Sequence, residues 1–477
     1  MNTHMEAVDH PAFGGGTPDP DRLDRRLGQL AAELDGRLIR AADPEWDRAR
    51  AAWQLLADQH PAAVVIVADA RDVTRTLRAA AELGLRVAPQ ATGHNAVPLG
   101  GLAGTVLLRT DKLTEVDIDP AARTARVEAG AIWGEVTAAA AAAGLAPVSG
   151  FSAGVGVVGF LLGAGLGWFA RSHGLGRDSV LSLEAVTPDG VMHRTARGEE
   201  LFEAVLSGAG VAVITAVTLQ LHPIVSVTAG ALFWPVESAR EVFRAWADWT
   251  HDTPDSVTST VRVLRFPDAP EVPPMFAGRA FAIVEAAVQE DPDRAAQLLE
   301  PLRRLAPQID TFKVTEVPAL AALHMDPPMP VRALGRSALL RTLPEAVLDD
   351  LAAALIGPAA VLTSVELRQL GGALDGPGGS ATSGCRALLY AVAVAPPATL
   401  DAPPNAAAIS AAQAAFAAVA AAVEPVRSTR SFAGFTEASG DPAELFGPEL
   451  DRLRSAKLRW DPSDLIHVNH PVLPVSA

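Results

Sequence analysis

The chain is nearly without cysteine. Cys385 is the only one among 477 residues, which excludes a disulfide framework and any thiolate metal cluster built within the chain. Tyrosine is equally scarce, with Tyr390 standing alone. Positive charge is in deficit: 39 Lys and Arg against 55 Asp and Glu leave a net charge of −16. That disfavours a nucleic-acid partner, which needs a basic face. The N-terminus lacks a basic region followed by an apolar core, so no secretory signal is expected. Residues 1–24 read as a disordered lead-in, and the expected location is the cytoplasm. The apolar run Gly154 to Ala170 is studded with glycine and alanine, which makes it a poor spanning helix, so no membrane segment is expected. What is present is 49% hydrophobic and 20% charged, the composition of a globular chain, and its length calls for two or more domains.

The N-terminal half alternates strands and helices. Asp21–Asp35 has helical spacing. Ala62–Ala68 reads as a buried strand, Arg71–Leu83 as a helix ended by Gly84, and Leu85–Pro89 as the second strand of a compact βαβ unit. A loop rich in glycine, PQATGHNAVPLGGL, leaves that strand. Glycine permits positive φ and close approach of a ligand, and successive N–H groups in such a turn can cradle a phosphate. His94 in that cradle can hydrogen-bond, bind metal or act as a nucleophile if neutral. A strand Thr105–Thr110, a hairpin Glu115–Glu128 and a helix Ile132–Ala143 follow. Then comes PVSGFSAGVGVVGFLLGAGLGWFARSHGLGRD. Its glycines imply a backbone wrapped around something large and flat, or a very close chain crossing. A hairpin Leu181–Arg194, a helix Glu199–Leu206 and a strand opened by SGAG complete this half.

Beyond His222 the character changes. Strands are expected at Ala229–Pro235, Thr258–Phe266, Ala277–Val288, Val361–Leu370 and Arg386–Val394. Helices are expected at Ser238–Trp249, Pro292–Leu305, Pro344–Ala354 and Ala406–Val423, without regular βαβ alternation; this suggests an antiparallel sheet. Asp375–Gly384 reads as a mobile loop. A helix Pro448–Trp460 and a short strand Leu465–Asn469 close the chain.

These stretches resemble the flavin-dependent oxidoreductases of the vanillyl-alcohol-oxidase superfamily, nearest the berberine-bridge-enzyme-like group. The Gly-His-Asn loop, DIDPAARTARVEAGAIWGEV, SAGVGVVGFLLGAGLGWFARSHGL and FGPELDRLRSAKLRWDPSDLIHVNHPV carry the likeness, in the family's order. It implies an α+β, two-domain PCMH-type FAD-binding fold: an FAD domain from residues 25–225, an antiparallel-sheet substrate domain at 226–425, and a segment 426–477 returning to the FAD domain. The diphosphate would lie on Gln90, Ala91, Thr92, Gly93, His94 and Asn95. Ser152, Gly154, Val155, Gly156, Gly159, Gly163, Gly165 and Leu166 would wrap the isoalloxazine and ribityl chain, with Gly210, Val213, Ile214 and Asn469 completing the set. His94 stands where relatives bond the flavin's ring methyl. Ser152 stands where bicovalent members place cysteine, so a cysteinyl link is excluded. Gln90 replaces a common arginine, and the SGAG segment is shorter than usual and lacks its Asn-Phe pair. Val155 implies room for O2 at the flavin.

The resemblance further implies hydride transfer from a small-molecule substrate to FAD, with a tyrosinate or carboxylate taking the proton. Tyr390 and Glu366 are the candidate catalytic residues. Arg368, which shares a strand face with Glu366, Gln369, on the opposite face, and His467, which alternates with Asn469, are candidate substrate contacts. Which face meets the flavin is open, and Glu366 with Arg368 also reads as an ordinary ion pair. The implied function is an oxidase of a secondary-metabolite alcohol or amine, or an oxidative ring former, in a monomer or homodimer and with no metal. A flavin-bearing cyclase or isomerase on the same fold is the alternative.

Overall fold

The computed structural model describes residues 19–376, 382–394, 406–438 and 440–472. The chain opens with helix α1 (Pro20–Glu33), whose N-cap Asp19 accepts from the Asp21 N–H. The helix therefore begins inside the span expected as a lead-in. The first sheet contains β1 (Arg37–Ile39), β2 (Ala63–Ile66), β3 (Arg86–Gln90) and β4 (Thr105–Arg109), in the order β1-β2-β4-β3. Helix α2 (Trp46–Arg50) precedes β2, and α3 (Ala70–Leu83) joins β2 to β3. Asp69 caps the start of α3, and Gly84 closes its end at φ 67°, a conformation that suits glycine. The βαβ reading needs one correction: β2 and β3 do not pair, because β4 lies between them and pairs parallel with both. Asp72 is fully buried and accepts the N–H groups of Asp35, Gly36 and Ala68, which fastens β1 to the start of α3.

The second sheet contains the hairpin β5 (Val116–Asp119) and β6 (Thr124–Glu128), the hairpin β7 (Val180–Val186) and β8 (Met192–Ala196), and β9 (Val213–Gln220). Its order is β5-β6-β9-β7-β8, all antiparallel. Helix α4 (Trp133–Ala142), α5 (Val157–Leu162) and α7 (Glu200–Leu206) pack around it, whereas α6 (Ala170–His173) lies against Leu370 and Leu374 of the later half of the chain. The glycine-rich segment thus holds short helices separated by extended backbone.

From Ser226 onward the chain builds an eight-stranded antiparallel sheet. Its strands are β10 (Ser226–Pro235), β11 (Val257–Arg265), β12 (Ala280–Val288), β13 (Ile309–Asp310), β14 (Lys313–Glu316), β15 (Ala333–Leu340), β16 (Ser364–Gln369) and β17 (Ala387–Val394). The order is β13-β10-β12-β11-β16-β17-β15, with β14 also on β10. Strands β13, β14 and β15 are additional to those expected. One sheet face is apolar and carries α8 (Ala239–Asp252), α9 (Pro292–Arg303), α10 (Glu345–Ile356) and α11 (Ala406–Val423). Helix α11 is long and apolar enough to cross a membrane; here Ala412, Ala415, Phe416, Val419 and Val423 form a helical stripe buried in the sheet's core. The expected loop Asp375–Gly384 is only partly within the described residues: Gly372–Asp375 is a 3-10 turn, and residues 377–381 lie outside them.

The closing segment runs through α12 (Pro442–Phe446) and α13 (Leu450–Trp460) back to the first sheet. The strand expected at Leu465–Asn469 is a single parallel bridge, Val87 to Ile466. Its geometry is held from α13: Lys457 Nζ donates to the carbonyls of Gly210 and Ile466 and contacts Asp461 and Asp464 at 2.7 and 2.8 Å. Asp461 in turn accepts the N–H groups of Leu465 and Ile466.

Candidate active site

The loop after β3 is a fixed turn. Gly93 has φ 77°, and a Cβ there would come within 2.8 Å of the Ala52 side chain. The carbonyls of Thr92 and Gly93 accept the N–H groups of Trp53 and Gln54. Trp53 stacks on His94, ring centroids 4.1 Å apart and planes 13° from parallel. Nδ1 of His94 lies 2.8 Å from the Thr92 hydroxyl. Burial pushes the imidazole down from its ordinary value to about 4, so it is neutral at pH 7 and available as a nucleophile. Beside it, buried Gln90 accepts from Gln59 Nε2 at 3.1 Å.

The second glycine stretch meets this loop. At Gly156 a Cβ would sit 3.4 Å from Ala91 and the Thr92 hydroxyl, whereas at Gly154 and Gly159 it would meet nothing within 4 Å. The other glycines serve close chain packing. Cβ atoms at Gly165 and Gly163 would fall within 2.5 Å of the Phe160 ring and 2.8 Å of Gly434 Cα. The segment therefore has close chain crossings at some glycines and open space at others. Ser152 is half-buried beside Trp133 and Ser149, and the half-buried Val155 gives its carbonyl to the Trp133 N–H. Leu166, Val213 and Ile214 are buried core side chains. Gly210, at φ 66°, packs on Val468.

The closing segment covers the loop from another side. Asn469 Nδ2 donates to the Asn95 carbonyl, and Asn95 Nδ2 to the Thr436 carbonyl. The His467 N–H donates to the Val87 carbonyl, and its side chain is buried. Three buried polar atoms around the loop, Gln90 Nε2, Gln59 Oε1 and Asn95 Oδ1, have no hydrogen-bond partner among the described residues. Such groups are costly to leave unmatched. Together with the open sides of Gly154 and Gly159 they fit a large polar group such as FAD.

The large sheet settles which face is which. Glu366, Arg368 and Tyr390 lie on the face opposite the helices, with Phe151 of the glycine-rich segment and Phe435 of the closing segment against Arg368 at 4.0 and 4.7 Å. Gln369 points to the helical side, where it bonds Ser259 and Thr253 at 2.7 and 2.9 Å; this removes it from the face expected to meet substrate. Tyr390 donates its hydroxyl hydrogen to Glu437. Burial and that carboxylate push the phenol well above its usual value, so the tyrosinate role is corrected: Tyr390 is a hydrogen-bond donor at neutral pH. Burial pushes the Glu437 carboxyl up as well, against the lowering contact with Tyr390. Glu366 contacts Arg368 at 2.7 Å and His324 at 2.9 Å. Burial opposes its charge, but Arg368 and His324 outweigh it and hold the carboxyl below the usual range. Glu366 is thus an ion-paired carboxylate, a weak proton acceptor.

Sequence reasoning missed Trp53, Gln59, Glu285, His324, Phe435 and Glu437. None carries a local motif; each reaches the site through a contact distant in sequence.

Comparison with known proteins matches residues 61–196 to the FAD binding domain family. Residues 61–196 carry an FAD binding domain. This flavoprotein is 30% identical to (R)-6-hydroxynicotine oxidase of Paenarthrobacter nicotinovorans over 42% of the chain and 45% of that protein. It is 26% identical to an uncharacterized FAD-linked oxidoreductase of Bacillus subtilis over 48% and 52%. The matched region spans about half the length of these curated relatives. Among solved structures, 6-hydroxy-D-nicotine oxidase from Arthrobacter nicotinovorans shares the fold with a TM-score of 0.76 at 23% identity, covering 91% of this chain and 96% of that one. Physcomitrella patens BBE-like 1 does so at 0.80 and 17% identity, covering 94% and 100%.

Proposed function

We propose that the protein is an FAD-dependent oxidase of a small molecule, removing two electrons and two protons from an alcohol or amine or closing a ring oxidatively. The observation that carries this reading is the convergence of the two glycine stretches at Gly156, Ala91 and Thr92, beside the neutral His94. When bound, FAD supplies the two-electron acceptor and passes the electrons to O2, yielding hydrogen peroxide.

The chain's own residues position the substrate and handle its proton. Backbone N–H groups of the Gln90–Asn95 loop would hold the diphosphate, and Gln90, Gln59 and Asn95 offer their unmatched polar atoms. In the tautomer whose Nδ1–H donates to the Thr92 hydroxyl, Nε2 of His94 would keep the lone pair that a single covalent link to the flavin's ring methyl requires. Ser152 cannot form a second. Val155 leaves more space beside the flavin than a leucine would, consistent with O2 as acceptor. Glu437, whose carboxyl is pushed up and which accepts from Tyr390, is the proton acceptor. Tyr390 holds that carboxylate in place.

Substrate added anaerobically should bleach the flavin, and air should restore the colour with one hydrogen peroxide formed per turnover. Glu437→Gln should lower the rate of bleaching by about a hundredfold or more, the scale of general-base catalysis, while leaving flavin content intact. Turnover of substrate without any bleaching would contradict the oxidase reading.

A further inference from the structure

The mechanism leaves unused a connected group of buried charges on the sheet face: Arg262 on β11, Glu285 on β12, His324 in the loop before β15, and Glu366 and Arg368 on β16. Their exposures are 2%, 0%, 3%, 1% and 6%. Arg262 meets Glu285 at 2.6 Å. His324 presents Nδ1 to Glu285 at 2.6 Å and Nε2 to Glu366 at 2.9 Å. Arg368 meets Glu366 at 2.7 Å.

The protonation of His324 sets the charge of this group. Flanked by a carboxylate at each nitrogen, the imidazole is raised, against its burial, to about 9 and is an imidazolium at neutral pH. His324, Glu285 and Glu366 together then carry a charge of −1. The two guanidinium groups add +2, and the cluster totals +1.

A buried surplus charge is costly unless something of opposite sign meets it. The neighbouring acids do not supply it. Asp326 acts on His324 but is exposed, and Glu437 is engaged by Tyr390 beyond Phe435.

The guanidinium of Arg368 shows where the counter-charge belongs. Its Cζ lies over the rings of Phe151 and Phe435, 4.0 and 4.7 Å from their centroids. Nε and Nη2 turn to Glu366, and Nη2 also lies 3.3 Å from His324 Nε2. Nη1 makes no hydrogen bond among the described residues, and the side chain keeps 8% of its surface open. Phe151 belongs to the glycine-rich segment and Phe435 to the closing segment, so the open edge lies where the FAD domain meets the substrate sheet. With Nε and Nη2 held, Nη1 is left to donate to an oxyanion.

We propose that the free edge of Arg368, backed by the Glu366–His324–Glu285–Arg262 chain, anchors a carboxylate on the substrate, between the rings of Phe151 and Phe435. The proposal deepens the oxidase reading by naming a substrate class, carboxylate-bearing and flat enough to lie between two aromatic rings. It is tested by binding alone, so its failure is distinct from failure of the redox chemistry.

The experiment is calorimetric titration of the purified holoprotein with benzoate and with its neutral isostere benzamide. Benzoate should bind on the order of tenfold or more tighter than benzamide, as expected for a charge-assisted contact. Arg368→Gln should abolish that preference, and Arg368→Lys should retain part of it. Glu366→Gln, which removes the carboxylate that competes for the guanidinium, should bind benzoate at least as tightly as wild type. If Arg368→Gln fails to fold, the wild-type preference and the Glu366→Gln and Arg368→Lys variants decide the matter. Equal binding of benzoate and benzamide by wild type would overturn the proposal. So would unchanged benzoate affinity in folded Arg368→Gln, or weakened benzoate binding in Glu366→Gln.

Discussion

At the scale of single residues, two histidines are tuned in opposite directions by their surroundings. His94 is packed on Trp53 and pushed down to about 4 by burial. Acid denaturation of wild type should leave flavin on the protein pellet, and digestion should yield a flavin-bearing peptide containing His94. His94→Ala should release all its flavin into the supernatant, and complete release from wild type would refute the covalent link. Burial and Arg262 push His324 down, but Glu285 and Glu366 outweigh them and raise it to about 9. An unfolded imidazole titrates near 6.5. The stabilisation from holding that proton is therefore complete below about pH 6.5, declines as pH rises, and is gone above about pH 9. Urea midpoints should fall through that window in wild type, and the fall should be absent in His324→Gln; parallel curves would contradict the paired imidazolium. His94, Glu366 and Arg368 were legible because motif and strand alternation mark them. Glu437 and His324 were not, because what gives them significance is a partner on another strand or segment. Tyr390 was found by its scarcity, yet its role turned on Glu437, which the sequence around Tyr390 does not announce.

At the scale of elements, the glycine-rich segment makes a divided prediction. A Cβ at Gly167 would lie 1.8 Å from the Ser149 carbonyl oxygen, whereas one at Gly159, inside α5, meets nothing. Gly167→Ala should destabilise the fold by about 3 kcal/mol or prevent folding, since neither backbone can give way cheaply. Gly159→Ala should leave the apoprotein as stable or up to about 1 kcal/mol more stable, through helix propensity. Thermal unfolding of both variants without flavin checks this, and a tolerated Gly167→Ala would contradict the close crossing. Most helices and hairpins could be read from periodicity, caps and turns, because those signals are local. The insertion of β4 between β2 and β3 could not, since it depends on which strand reaches the gap. β15 was missed because Gly335 and Arg336 interrupt its apolar run. The closing bridge at Ile466 depends on Lys457 and Asp461, which in sequence look like ordinary surface charges of a helix end.

At the scale of the whole molecule, the order of the motifs leads to the expectation of a domain built from both chain ends around an intervening sheet. The structure adds the way the three parts meet: Asn95 with Thr436 and Asn469, Gly163 with Gly434, and Tyr390 with Glu437. These contacts bring the closing segment onto both the flavin loop and the substrate sheet, so loading with cofactor should stabilise the molecule as a unit. The central claim is that this assembly carries FAD, and the visible absorption spectrum of the purified full-length protein tests it most directly. The account predicts a yellow protein with oxidised-flavin bands and one FAD per chain. A colourless protein that takes up no FAD on reconstitution would contradict it.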